Sequence, residues 1–245
     1  MTTLTRTDLP RTELAHPERA IDAVWPVDAT SRMNRMYRYQ RHIYDLTRRY
    51  YLLGRDQLIA ELRPTVGETV LEVGCGTGRN LIRAASRYRD AKFYGLDVST
   101  EMLTSAIRSI EGAGLISRVK VAHGDATAFT AQAAFGQAIA FDHVMISYSL
   151  SMIPDWSAVI DRAVANLKPG GKLHIVDFGD QHGLPGVARN LLRRWLALFG
   201  VTPRDSLEAA LMQVAARTGA RLRFERPYRG YAQAAELTLP LPTKP

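Results

Sequence analysis

The stretch VLEVGCGTG, Val70 to Gly78, decides the fold. Val70, Leu71 and Val73 are apolar and bulky, as a strand covered on both faces requires. Gly74, Gly76 and Gly78 let the backbone turn sharply and approach a ligand that a Cβ would obstruct. The next apolar strand, FYGLDVS, closes on Asp97, an acid placed to accept the two hydroxyl protons of a ribose. The glycines read G-x-G-x-G and not the G-x-G-x-x-G of dinucleotide sites, because Arg79 stands where the last glycine would be.

Four further pieces follow in order. Ser99 offers an N-cap to a helix that carries Met102 in its first turn. VKVAHGDAT ends a third strand at Asp125. FDHVMISYSL is a fourth strand whose end presents Ser147, Tyr148 and Ser149. LKPGGKLHIVDF reads as a helix stop, a Pro-Gly-Gly turn and a fifth strand. Strands alternating with helical stretches of about a dozen residues predict an α/β fold, a parallel sheet with helices on both faces.

The glycine spacing, with Glu72 two residues ahead of the first glycine, resembles motif I of class I S-adenosylmethionine (SAM) methyltransferases. The resemblance implies that family's Rossmann-like fold, a seven-stranded mostly parallel sheet. It also implies SAM as cofactor and S-adenosylhomocysteine as product, with no metal. The positions that would contact the cofactor are Glu72, Gly74, Cys75, Gly76, Thr77, Gly78, Asn80, Asp97, Val98, Met102, Asp125, Ala126 and Ser147, with Asp125 at the adenine amino group.

Composition narrows the rest. A chain of 245 residues suits one domain with a sizeable core. No apolar run approaches the roughly 18 residues of a membrane span, and the start has no signal-peptide core. Cys75 is the only cysteine, which excludes disulfides and thiolate clusters within one chain and suits a cytoplasmic protein. The histidines are dispersed, with no i,i+4 ligand pair. A net charge of +8 suits nucleic acid, an anionic membrane, or an arginine-rich composition without function. Amino-directed base methyltransferases carry an [N/D]-P-P-[Y/F] turn after the fourth strand, and this chain has Ser147-Tyr148-Ser149-Leu150, so nucleic acid is not expected as a partner.

Residues 1–30 read as a mobile tail, and 31–238 as a single domain. Within it, 31–62 are lid helices, 67–178 the nucleotide-binding core, 184–218 a helical insertion after the fifth strand, broken at Pro203, and 219–238 two closing strands, Arg221–Glu225 and Tyr228–Leu237.

In the lid segment Tyr37, Tyr44 and Tyr51 lie seven apart on one helical stripe, extended by Met33 and Met36. That stripe is either a core-facing side or an aromatic lid, whose rings would stabilise a cationic amine by about 0.5–2 kcal/mol. Arg41 and Arg55 flank it and suit a carboxylate or phosphate on the substrate. The run R-M-Y-R-x-Q-R-H-I-Y-D-x-T-R-x-Y-Y-L-L-G-R-D resembles bacterial betaine-lipid synthases of the diacylglycerylhomoserine N-methyltransferase family. The likeness continues through LHIVDFGDQHGLP and the W-L-A-x-F-x-V-T-P-R run from Trp195 to Arg204. It implies transfer of three methyl groups from SAM to the amine of a homoserine lipid. The same core suits a phosphatidylethanolamine or quinone acceptor, or a SAM-binding protein without catalysis.

Methyl transfer to nitrogen is an in-line displacement that mainly demands alignment at about 3 Å. The substrate ammonium must first lose its proton, for which His42, Tyr44 and Tyr148 are candidates. Asp177, at the end of the fifth strand, is placed either to hold that ammonium or to cap the next turn.

The insertion segment VARNLLRRWLALF separates on a helical wheel. Val187, Ala188, Leu191, Leu192, Trp195, Leu196, Leu198 and Phe199 fall on one half, and Arg189, Asn190, Arg193, Arg194 and Ala197 on the other. A core-packed helix gives this pattern, and so does one lying on anionic lipid. The second reading makes the protein peripheral to the inner face of a membrane, with a lipid partner and possible homo-oligomers.

Overall fold

The computed structural model describes residues 52–242. Seven strands form one sheet in the order β3-β2-β1-β4-β5-β7-β6. They are β1 (Thr69–Val73), β2 (Lys92–Asp97), β3 (Val119–His123), β4 (Phe141–Ser147), β5 (Leu167–Phe178), β6 (Arg221–Glu225) and β7 (Ala232–Thr238). The first five run parallel, while β7 is antiparallel to both β5 and β6. The sheet is the one expected from the sequence.

Helices α1 (Arg55–Leu62), α2 (Arg79–Arg87), α3 (Thr100–Gly112) and α6 (Gly186–Leu198) contribute to the core on one face. Helices α4 (Ala131–Phe135), α5 (Trp156–Ala165) and α7 (Leu207–Thr218) contribute to the core on the other. Every residue of β1 is buried, and the pleat sends Val70 into the first core and Leu71 and Val73 into the second. In α3 the buried positions Met102, Leu103, Ala106 and Ile110 follow the helical period. The Ser99 hydroxyl accepts from the Met102 N–H at 3.3 Å and caps the helix.

Two boundaries differ from the sequence reading. Pro169-Gly170-Gly171 lies inside β5, where pairing jumps from Phe141↔Leu167 to His143↔Lys172. The last strand begins at Ala232 because Tyr228 and Arg229 adopt left-handed backbone angles, φ 56° and 59°, that turn the chain before it. Outside the main cavity, His143 and His174 are buried on adjacent strands, 3.2 Å apart, and Glu68 closes on the outer nitrogen of His143 at 3.2 Å. Burial depresses His174 to about 3, which makes it a neutral core residue.

Strand order reverses between β1 and β4, so a crevice opens at their carboxyl ends. The glycine loop, the ends of β2 and β3 and the segment after β4 all meet there.

Candidate cofactor and acceptor site

The turn after β1 is held by its own backbone. The N–H groups of Gly74 and Cys75 both donate to the Leu96 carbonyl, at 2.8 and 3.0 Å. The Gly76 N–H donates to Asp97 Oδ2 at 2.7 Å and the Ser99 N–H to Asp97 Oδ1 at 2.9 Å. Asp97 therefore joins the glycine loop to the start of α3. Gly74 has φ +75°, and a Cβ there would stand 2.6 Å from that of Ser149. Any side chain would push the glycine loop off the β4 segment.

These elements enclose a cavity of about 600 Å³. Of the cofactor candidates, Glu72, Gly74, Cys75, Gly76, Thr77, Asn80, Asp97, Val98, Met102, Asp125, Ala126 and Ser147 line it. Gly78 does not. Its φ of +76° starts α2, and a Cβ would press on Ala106 of α3 at 3.2 Å, so its glycine serves helix packing.

Glu72 is 1 % exposed on β1 and accepts from Asn80 Nδ2 at 2.7 Å through Oε1. Its Oε2 is buried without a hydrogen bond among the described residues, as is the Ser147 hydroxyl oxygen on β4. Burial pushes Glu72 up to about 8, against the opposing pull of Asn80 and the Arg55 charge. An unsatisfied carboxylate oxygen in a cavity wall is costly, and a cationic ligand relieves it. The amino-acid end of SAM carries such an ammonium, so these residues fit that cofactor. On β3's exit, Asp125 Oδ1 accepts from both the Thr127 N–H and hydroxyl, at 2.8 Å each, which fixes its carboxylate at the rim.

The rest of the wall comes from Leu52, Arg55, Tyr148 and the segment Ser149–Asp155. Arg55 is buried at the start of α1, with Nε donating to the Leu52 carbonyl at 3.3 Å. Tyr148 is a correction to the sequence reading. Its hydroxyl donates to the Leu53 carbonyl at 2.6 Å, and burial holds its pKa well above the usual phenol value. With its proton committed to a carbonyl and its phenolate disfavoured, Tyr148 is a wall residue and an anchor for the chain entering α1.

Asp177 is a second correction. It is fully buried and does not line the cavity. It accepts from the Phe178 N–H at 2.7 Å and the Ser151 N–H at 3.2 Å, capping the turn after β4. Burial lifts it to about 6. His42, Tyr44, Tyr37, Arg41 and Tyr51, with the 1–30 tail and most of the lid segment, lie outside the described residues. Met152, Ile153, Pro154 and Asp155 were missed, since a 3-10 turn (Leu150–Met152) leaves no period to read; Pro154-Asp155 was the available signal.

Helix α6 divides its apolar half. Leu196 is buried, and Leu192, Trp195 and Phe199 pack on the core, the two rings 5.0 Å apart. Val187, Leu191 and Leu198 point outward, 84 %, 69 % and 77 % exposed. Arg193 is committed to Asp205 at 2.7 and 2.9 Å and to Gln181 at 3.2 Å.

The comparisons agree with this geometry. A family model described as a methyltransferase domain matches residues 70–171. Residues 70–171 are thus similar to a methyltransferase domain, the sheet has the fold of class I SAM-dependent methyltransferases, and the cavity's lining fits SAM. Curated relatives include demethylmenaquinone methyltransferases from Geobacillus stearothermophilus, 31 % identical over 57 % of this chain and 54 % of the relative, and Oceanobacillus iheyensis, 28 % identical over 59 % and 55 %. The chain thus spans about half the length of the curated relatives it matches. Solved structures with the same fold include Haemonchus contortus phosphoethanolamine N-methyltransferase 2 with SAM, at TM-score 0.60, 19 % identity and 78 % and 52 % coverage. Mitomycin 7-O-methyltransferase overlays at TM-score 0.65, 16 % identity and 86 % and 60 % coverage.

Proposed function

We propose that this chain is an N-methyltransferase that uses SAM to trimethylate the amine of a diacylglyceryl homoserine lipid while resting on an anionic membrane. The observation that carries the lipid reading is the outward ridge of α6, Val187, Leu191 and Leu198, with the exposed cation Arg194 on the same side of the helix. Exposed aliphatic side chains beside an arginine that makes no ion pair among the described residues suit an interface of acyl chains and anionic headgroups. Arg55, a buried cation in the cavity wall, suits a carboxylate on the acceptor. Among the described residues no helix is long and apolar enough to cross a membrane, so attachment would be peripheral.

SAM supplies an electrophilic methyl on a sulfonium. Glu72 and Ser147 would hold its ammonium, Asp97 its ribose hydroxyls and Asp125 its adenine end. The chain's own work is alignment: the glycine loop fixes the donor, and Leu52, Tyr148 and Met152 exclude water around the acceptor nitrogen. The nitrogen lone pair forms the new C–N bond as the C–S bond breaks. The ammonium proton leaves beforehand, and His42 and Tyr44 remain the proposed acceptors for it.

A quinone-ring acceptor is the second reading, favoured by the demethylmenaquinone methyltransferases among the relatives. Mass spectrometry of lipids from cells making this chain alongside an enzyme for the homoserine lipid separates the two. The lipid reading expects the trimethylated headgroup to appear; unchanged homoserine lipid would refute it.

A further inference from the structure

The Val201-Thr202-Pro203-Arg204 run links α6 to α7, far in sequence from the glycine loop, yet it grips the cavity wall. Arg204 Nε donates to the Leu150 carbonyl at 3.0 Å and Nη2 to the Ile153 carbonyl at 2.7 Å. The Thr202 N–H donates to the Ser151 carbonyl at 2.8 Å. Three carbonyls around Met152 are thus held from the insertion. The turn they belong to is a short 3-10 helix in which the Ile153 N–H returns to the Leu150 carbonyl, at 3.2 Å, so the brace adds to a weak internal bond.

The brace is itself fixed. Gln233 Nε2, from β7, donates to the Arg204 carbonyl at 3.1 Å and to the Phe178 carbonyl at 2.9 Å. From β5, Asp177 accepts the Ser151 N–H. Met152 packs on the cluster that holds Leu52, Tyr148 and Leu196 of α6, and it lines the cavity with Leu52, Arg55 and Tyr148. The groups suited to the cofactor lie instead at the ends of β1, β2 and β3, with Ser147 closing β4 ahead of this turn.

We propose that Arg204 is a positioning residue for methyl transfer: by holding the carbonyls on both sides of Met152, it sets the acceptor end of the cavity and ties it to α6. The part about the acceptor rests on the methyltransferase reading above. The fork matters because one planar guanidinium reaches two carbonyls in fixed geometry, and an ammonium on a flexible stem satisfies one at a time.

The test uses the full chain with Arg204→Lys and Arg204→Gln. Hydrogen exchange followed by mass spectrometry is read over residues 149–155, SAM affinity by calorimetry, and acceptor kinetics on vesicles containing diacylglyceryl homoserine lipid. In both variants exchange across 149–155 should quicken about tenfold or more while β4 is unmoved, with SAM Kd within about twofold. Acceptor KM should rise about fivefold or more. Met152→Ala, which leaves the brace intact, should raise acceptor KM in the same direction. Unchanged exchange in both variants overturns the brace. A SAM affinity that falls while acceptor KM stays flat overturns its assignment to the acceptor end, as does a flat KM in Met152→Ala. Should the wild type leave the lipid unmethylated, the exchange and calorimetry still decide the brace, and only the acceptor reading fails.

Discussion

At the scale of single residues, the site's behaviour turns on two carboxylates with opposite environments. Asp97 sits among backbone donors at the cavity wall and is proposed to hold the ribose. Asp97→Ala should weaken SAM binding by about 1.5–3 kcal/mol, the worth of a charge-assisted pair, and calorimetry on the folded variant reads it. Glu72 is buried and titrates near 8, well above its usual value of 4.5. The unfolded chain sheds that proton near 4.5 and the folded chain keeps it to about 8, so Glu72 makes stability fall as pH rises through this window. An ammonium ligand favours the ionised form, so binding expels the proton below pH 8. SAM affinity should therefore climb with pH up to about 8, by at most about tenfold per unit, and Glu72→Gln should flatten both slopes. Affinity that is flat with pH in the wild type would remove Glu72 from the ammonium. Tyr148→Phe removes one hydrogen bond, worth about 1 kcal/mol of stability, and should leave the pH profile of turnover unshifted. A shifted profile would return Tyr148 to proton transfer.

At the scale of elements, sequence pattern and structure part company in instructive places. The β1 strand and its glycine turn were legible because full burial and the need for bare backbone both mark composition. Gly78 looked like its neighbours in the string, yet what it meets is Ala106, a partner twenty-eight positions away that no local pattern announces. Asp177 read equally as ligand or cap for the same reason: only the fold brings the Ser151 N–H to it. Helix α6 shows the limit of a wheel. Apolar residues over half its circumference look like one face, but the core takes the side of Leu192, Leu196 and Phe199, and the other side is left exposed. The wheel also grouped Arg193 with the free cations, although it pairs with Asp205. The element therefore makes a split prediction. Leu191→Gln with Leu198→Gln should weaken binding to anionic vesicles at unchanged Tm, and added salt should weaken the share that Arg194 contributes. Trp195→Ala should instead cost about 2–4 kcal/mol of stability through lost packing. Vesicle sedimentation and thermal melts read the two arms. Normal vesicle binding by the double variant would leave the ridge without a lipid role.

At the scale of the whole molecule, the sheet order gathers the groups suited to the cofactor at the ends of β1 to β4, and the insertion braces the segment that follows β4, around a single cavity. On the proposed reading, donor binding would rest on the strand ends and acceptor binding on an element that also faces outward. The direct measurement is label transfer by the purified full chain from SAM bearing a deuterated methyl group. The vesicles would offer diacylglyceryl homoserine lipid and demethylmenaquinone together. The account predicts labelled methyl groups on the lipid amine, up to three, with matching S-adenosylhomocysteine. Label found only on the quinone, or no transfer by a chain that binds SAM, would contradict it.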